Sequence, residues 1–470
     1  MGPGLVGEVE AILKPFRGAF SRRAAFEWFV VIVWAFMLRL EAQGVTSIVR
    51  CMGLAPLEYH NLLHFFHSSS FHVHVLCCQW ATIVKKHTQS VTVAGLPLYV
   101  VDGIKVGKAG RKMPGVKLLH QESTDNTKPE YVMGHFWGAV SSLVHAGRHV
   151  FAIPLRFQIQ DGLKRSPSEA RTLVDKMQGL VTTSITGVGI VVADAYYATQ
   201  GFFRALLAAD LHCISRVRGN TVAYRSPPPR LPGQRGRPRK RGPKVKLAEL
   251  FERPWLFRET SVALYSDLKA IRYYYLDLLW HGPLVRFVLS IYPDGKRRIL
   301  VSTDIHLSPE AILYAYGLRF KIEVSFKSLV EILCGFCYHF WMKAMAKRER
   351  GAGNQYLHRA DEDYRLQVYR KIEAYERFVN IAAIGLGILQ ILAISYSQQV
   401  WAHFPLWLRT LPKHGCPSEN VVRLTLQHDL HRISMESRRG LMLSKILHHK
   451  ARAARRCAHP LRMMPAAAAR

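Results

Sequence analysis

Three acids stand where a carboxylate can be held rigidly enough for metal-assisted chemistry. Asp102 closes the β-branched run LPLYVVD, with Gly103 able to turn the backbone just after it, and Asp194 closes GIVVAD. Each is expected where a buried strand exits, at the rim of a sheet. Glu323 falls on a helix expected from Pro309 to about Leu333. There Tyr316, Arg319, Glu323, Lys327 and Val330 share one stripe, roughly 80° wide at about 100° per residue. Leu318, Ile322, Leu329 and Leu333 form the opposite stripe and are expected to be buried. Carboxylate oxygens on rigid supports suit a hard cation such as Mg²⁺. Two such cations serve phosphoryl transfer on DNA, one at the attacking oxygen and one at the leaving oxygen. Taken singly, each acid also has a plainer reading. An Asp at a strand end makes a turn or a cap, and Arg319, Glu323 and Lys327 also read as an exposed salt-bridge ladder. Asp304, after ILVST, is explained by the short connection into the helix.

The elements that position these acids follow from pattern. Residues 1 to about 90 read as helical and aromatic-rich, with no assignable helix-turn-helix. A strand over Leu96–Asp102 is followed by a hairpin, Tyr131–Val144 and His149–Ile159, with Gly147 supplying the turn. Next come a helix at about 168–183, a buried strand to Asp194, a helix near 200–209 and the strand LHCISRV. That order predicts a mixed α/β core. Residues 225–246, SPPPRLPGQRGRPRKRGPKVK, are rich in Pro, Gly and basic residues and predict an exposed loop. Strand-like runs follow (IRYYYLDLLW, LVRFVLSIY and, after the turn PDGK, RRILVST), a β-rich insertion. Ser308 is the expected N-cap of the helix beginning at Pro309. The chain beyond Lys343 reads as helical, with a loop at 347–354 and a basic tail from His448.

Composition narrows the partners. Lys and Arg number 65 against 33 Asp and Glu, a formal net charge of +32. A field of that sign favours a polyanion, because each neutralised phosphate releases counterions; an anionic bilayer would attract it too. Hydrophobic residues make up 49%, enough for real cores, so a disordered chain is excluded. No signal-like segment is evident at the start. The apolar run Trp28–Leu38 is too short to span a bilayer, and the run Ile381–Tyr396 is read as a buried helix. Eight scattered cysteines make no secreted disulfide framework, so a cytoplasmic protein is expected. Cys334-Gly-Phe-Cys337, with His339, invites a zinc reading, but four ligands are needed and no second pair stands out; packed cysteines are the plainer account. Arg235, Arg237, Arg239, Lys240 and Arg241 resemble an AT-hook, which enters a narrow minor groove, or else form a solvated basic loop.

The segment YGLRFKIEVSFK resembles the YREK signature of bacterial insertion-sequence transposases that carry a DDE triad. Tyr316, Arg319 and Glu323 match that signature in type and spacing. Its Lys does not: Val330 holds that position, and Lys327 lies one turn earlier. The regions VVDGIKVGKAGRKMPGVKLLHQES, GHFWGAV, GIVVADAYYATQGFF and GFCYHFWMKAM resemble the same family, over about residues 20–345. The resemblance implies an RNase H-like core of mixed sheet and flanking helices, over 96–218 and 306–345. A basic loop and β-rich insertion (219–305) would interrupt it, with helical regions at 1–95 and 346–470. It further implies that Asp102, Asp194 and Glu323 bind Mg²⁺ (Mn²⁺ may substitute) and cut and rejoin DNA. Tyr316, Arg319 and Lys327 would contact phosphates. The N-terminal helices would read the element's terminal inverted repeats, and a homodimer would act on DNA at the nucleoid. Where relatives form a hairpin intermediate, Trp280 or Tyr292 would supply the aromatic. Two other readings stay open: a transposase-derived binding protein without catalysis, and an RNase H-like nuclease without strand transfer.

Overall fold

Runs of Val, Ile and aromatic residues build one large sheet from the middle of the chain. The computed structural model describes residues 4–121, 129–229, 237–264, 267–406, 414–436 and 441–458. The main strands are β1 (Leu96–Gly107), β2 (Tyr131–Ala146), β3 (His149–Ile159), β4 (Gly189–Ala193), β5 (Leu211–Val217), β6 (Arg258–Leu264), β7 (Asp267–Leu279), β8 (Leu284–Ile291) and β9 (Arg297–Ser302). Five helices precede them: α1 (Leu5–Leu13), α2 (Arg23–Leu38), α3 (Val45–Cys51), α4 (Glu58–His67) and α5 (Val73–His87). The helices α6 (Leu173–Ser184) and α7 (Gln200–Leu207) lie between strands, and α8 (Pro309–Gly317) and α9 (Lys321–Glu331) follow the last one. The chain closes with α10 (Glu362–Ser395), α11 (Ser397–His403), α12 (Glu419–Glu436) and α13 (Met442–Ala458).

The hairpin β2–β3 and the pair β1–β2 are antiparallel. Strand β4 then lies parallel to β1, and β5 parallel to β4, reached through α6 and α7. Three antiparallel strands continued by two parallel ones form the RNase H-like core, in the order β3-β2-β1-β4-β5. The β-rich segment does not stand apart from it. Strand β9 pairs with β5, β8 with β9 and β7 with β8, so the sheet continues through the insertion. In this way β5 is not left as an open edge.

At the other side, α10 closes the edge of β3 with side chains. Asn380 Oδ1 accepts from Phe157 N (2.8 Å) while its Nδ2 donates to Phe157 O (2.9 Å). Glu376 Oε1 accepts from Ile159 N at 3.2 Å. A bidentate amide and a carboxylate thus replace a neighbouring strand. Helix α10 also packs on α2, α4 and α5, which joins the N-terminal helices to the core. It is long and apolar enough to cross a membrane by length and composition, yet 89% of its most apolar window is buried inside the protein.

Four local expectations need correction. Asp102 does not end its strand, since β1 runs on to Gly107. Gly103 makes no turn there; a Cβ at that position would meet the Phe136 ring at 2.4 Å, so the glycine admits a ring from β2. Helix α6 starts at Leu173 rather than near Ser168, because Thr172 and Asp175 form a reciprocal capping box. The helix from Pro309 is also not continuous: a 3₁₀ turn, Leu318–Phe320, separates α8 from α9.

Candidate active site

The site is built where the lengths of adjacent strands differ. Strand β4 stops at Ala193, whose partner on β1 is Val101. The next residues, Asp194 and Asp102, therefore follow side by side on neighbouring parallel strands. Beyond that point β1 continues paired to β2, with Asp102 at the shoulder. Asp194 opens the 3₁₀ turn Ala195–Tyr197, and its carbonyl accepts from Tyr197 N and Ser215 Oγ, each at 3.0 Å. Its backbone is thereby fixed from two elements.

The third acid arrives on α9. Ser308 caps α8, accepting from Ala311 N at 3.1 Å. Leu318, Ile322, Leu329 and Leu333 are all buried, as their stripe requires. This packing places Arg319 over the strand shoulder. Its Nη1 donates to Asp102 Oδ2 (2.8 Å) and its Nη2 to Glu323 Oε1 (2.7 Å). Asp102 Oδ1 accepts from Gly103 N at 2.8 Å. Two acids and a guanidinium form one charge-assisted assembly.

Electrostatics follow from that packing. Burial pushes the Asp102 carboxyl up to about 6; Arg319 and the Gly103 N–H oppose this, while the charges of Asp194 and Glu323 add to it. Burial works against the Arg319 charge, but Asp102, Tyr316, Glu323 and Asp194 more than offset it and hold the guanidinium above its ordinary range. Asp194 and Glu323 thus both act on Asp102, and all three acids act on Arg319.

A cleft of about 690 Å³ opens beside them, lined by Asp194, Arg319 and Tyr316 together with Arg216, Arg298 and Tyr292. Arg216 comes from β5 and Arg298 from β9, brought together by strand pairing. Arg298 stacks over the Tyr292 ring at 4.5 Å. The arginines were not foreseen, and their only signal in the sequence is a basic residue recurring in otherwise apolar strands.

The other predicted residues lie elsewhere. Lys327 is well exposed and reaches Glu331 at 3.9 Å, and Val330 is also exposed; neither lines the cleft. Trp280 is buried against Phe203 and Phe287, so of the two aromatic candidates only Tyr292 faces the cleft. Arg237, Arg239, Lys240 and Arg241 are exposed, with Arg241 over the Tyr224 ring at 4.8 Å. Arg235 lies outside the described residues. Asp304 shapes the expected turn, accepting from His306 N at 2.9 Å.

The donor set Asp102, Asp194 and Glu323 consists of hard oxygen ligands, which suit Mg²⁺ or Mn²⁺ in kind. Among the described residues no three Asp, Glu, His or Cys side chains yet converge closely enough to hold an ion. Between two of these acids, Arg319 takes the position of a cation. The same finding applies to Cys334, Cys337 and His339, which form no zinc-sized group.

The family model for the DDE superfamily endonucleases matches residues 15–255. Among solved structures, the chain is similar to piggyBac transposase in its synaptic complex with hairpin DNA, determined by cryo-electron microscopy. That alignment has 12% identity and a TM-score of 0.36, and covers 92% of this chain and 76% of the other. No curated protein matches the sequence.

Proposed function

The chain belongs to the DDE superfamily endonucleases, and from that premise we propose that it is a DNA transposase of the insertion-sequence type. In this reading it cleaves DNA at the element's terminal inverted repeats and joins the ends to target DNA. The observation that carries this reading is the Asp102–Arg319–Glu323 assembly beside Asp194. Superfamily enzymes use divalent metals, and here Asp102, Asp194 and Glu323 would hold Mg²⁺, with Mn²⁺ able to substitute. Bound there, such ions supply charge neutralisation at the attacking and leaving oxygens of the phosphodiester.

The chain's own residues do the rest. Arg319, released from the carboxylates, turns to a non-bridging phosphate oxygen, for which its planar fork is suited. Arg216 and Arg298 hold the neighbouring phosphates along the cleft, and Tyr316 and Tyr292 offer contacts beside them. With Arg319 beside it, the Asp102 carboxyl, raised by burial to about 6, is largely ionised at neutral pH. Terminal-repeat reading by the N-terminal helices, and a homodimer on DNA, belong to the same proposal.

The test is incubation of the purified protein with plasmid carrying the DNA that flanks its own gene, with Mg²⁺, beside Asp194→Ala. Excision at the element ends by the wild type alone supports the proposal. Salt-sensitive binding without cutting would instead mean a transposase-derived binding protein. Cutting without joined products would mean a nuclease.

A further inference from the structure

A second cluster of reactive side chains lies at the far end of α9, outside the proposed phosphoryl chemistry. The chain turns sharply there. Cys334 has a left-handed φ of 49°, and Cys337 N donates to Cys334 O at 3.0 Å. A Cβ on Gly335 would meet Leu329 Cδ1 at 2.6 Å, so the turn packs directly onto the helix. The turn places the two thiols three residues apart on one sharp bend, close enough for each to act on the other's charge.

Arg39 supplies the reason for this arrangement. It is 2% exposed and ties the end of α2 to the turn, its Nη2 donating to Leu333 O (2.9 Å) and Cys334 O (3.0 Å). Its Nη1 donates to Gln43 O (2.8 Å) and Ser47 Oγ (2.9 Å). Every one of these acceptors is neutral, yet a buried cation requires a counter-charge. The ionisable groups facing it are Cys334, Cys337, Cys51 and Glu41. Glu41 is drawn away to an exposed pair with Arg50. Arg423, which donates to Ile332 O at 3.0 Å, also faces Cys334, and Lys108 faces Cys337. Three cations therefore surround a turn whose nearest acids are thiols. The Cys337 thiol beside it, then Arg39 and Arg423, pull the Cys334 thiol down against its burial. The Cys334 sulfur, with burial, pushes Cys337 up. The surrounding cations thus favour a single thiolate in the pair while the second sulfur keeps its proton, which is the pairing of an attacking and a resolving cysteine. Cys334 is 9% exposed and Cys337 half-buried, so peroxide would reach the pair from the Cys337 side.

We propose that Cys334 and Cys337 form a peroxide-reactive dithiol that closes reversibly to a disulfide. The Cys334 thiolate attacks one oxygen of hydrogen peroxide. The O–O bond breaks, leaving a sulfenic acid on Cys334 and releasing hydroxide. The Cys337 sulfur then attacks the sulfenic sulfur, the S–S bond forms, and the OH group leaves with the Cys337 proton as water. Peroxide takes up the two electrons, and a small dithiol reductant reverses the reaction. The joint so modified closes the helix that carries Glu323, and the inference stands whether or not the transposase reading holds.

The full chain is treated with hydrogen peroxide, alkylated under denaturing conditions, and analysed by peptide mass spectrometry. A Cys334–Cys337 disulfide, reversed by dithiothreitol, is expected to form about 10-fold faster than the exposed Cys78 is oxidised. In Cys337→Ser, dimedone is expected to trap a sulfenic acid on Cys334. Recovery of both thiols free while Cys78 is oxidised would overturn the proposal. Should that variant fail to fold, iodoacetamide labelling of wild-type Cys334 against pH decides: a midpoint below about 8 supports the proposal, and one above it refutes it.

Discussion

Arg319→Gln removes two charge-assisted hydrogen bonds, 2.8 Å to Asp102 and 2.7 Å to Glu323. It also lets burial and the charges of Asp194 and Glu323 push the Asp102 carboxyl further up than it lies beside Arg319. Breaking one side of a buried ion pair costs about 3–5 kcal/mol. Here the Asp102 and Arg319 side chains are each 20% exposed and Glu323 is 41% exposed, so solvent screening reduces the expected loss to about 2 kcal/mol. Chemical denaturation in metal-free buffer at neutral pH and low salt measures that loss. A divalent cation supplies the charge that the variant lacks, and at ten times its Kd it adds about 1.4 kcal/mol to stability. Mg²⁺ is therefore expected to restore most of the stability of Arg319→Gln. It should shift the wild type less, because there the ion must first displace the guanidinium. Mn²⁺ titration followed by electron paramagnetic resonance should show the same order, with tighter binding to the variant. Equal stabilisation of both proteins by Mg²⁺ would refute the claim that Arg319 stands where a cation binds. So would a variant as stable as the wild type without metal.

Glu376 gives a pH-dependent test of the sheet edge. Burial pushes its carboxyl from an ordinary value of 4.5 up to about 7, with the Ile159 N–H and Arg156 opposing. Because the folded state binds this proton more tightly, its stabilisation is complete below the unfolded value and is lost as pH rises through 7. Measured against Glu376→Gln by urea denaturation, the half-buried wild-type residue should cost about 1–3 kcal/mol between pH 5 and pH 8; parallel curves would contradict this. Asn380→Ala leaves both polar backbone groups of Phe157 unpaired and is expected to cost about 2–5 kcal/mol. Loss of hydrogen-exchange protection at the Phe157 amide should accompany it, and retained protection would rule out the edge-closing role. Arg216→Ala and Arg298→Ala should each weaken binding to duplex DNA and reduce the salt slope by about one. An unchanged slope for both would mean that phosphates do not follow this cleft.

What was legible beforehand depended on how far apart the cooperating residues lie. The cap at Ser308, the turn at Gly147 and the buried stripe from Leu318 to Leu333 each rest on residues within a few turns of one another. They were readable from periodicity and capping chemistry. The break at Leu318–Phe320 was not, because Gly317 weakens a helix without interrupting the period on either side. Asp102 shows the same limit more sharply. VVDG reads locally as a strand exit, yet the strand continues. What exposes the carboxylate is the end of a neighbouring strand at Ala193, and what requires Gly103 is a ring on β2. Arg319 and Glu323 share a helix face and pair by spacing alone, but the second partner of the guanidinium is 217 residues away. Arg216 and Arg298 meet only because β9 pairs with β5. The acids are thus visible as residue types at strand and helix positions, whereas the cations that set their charge are brought in by tertiary pairing. For that reason the protonation of Asp102, and the competition proposed between Arg319 and a metal ion, are properties of the assembled sheet rather than of any motif within it.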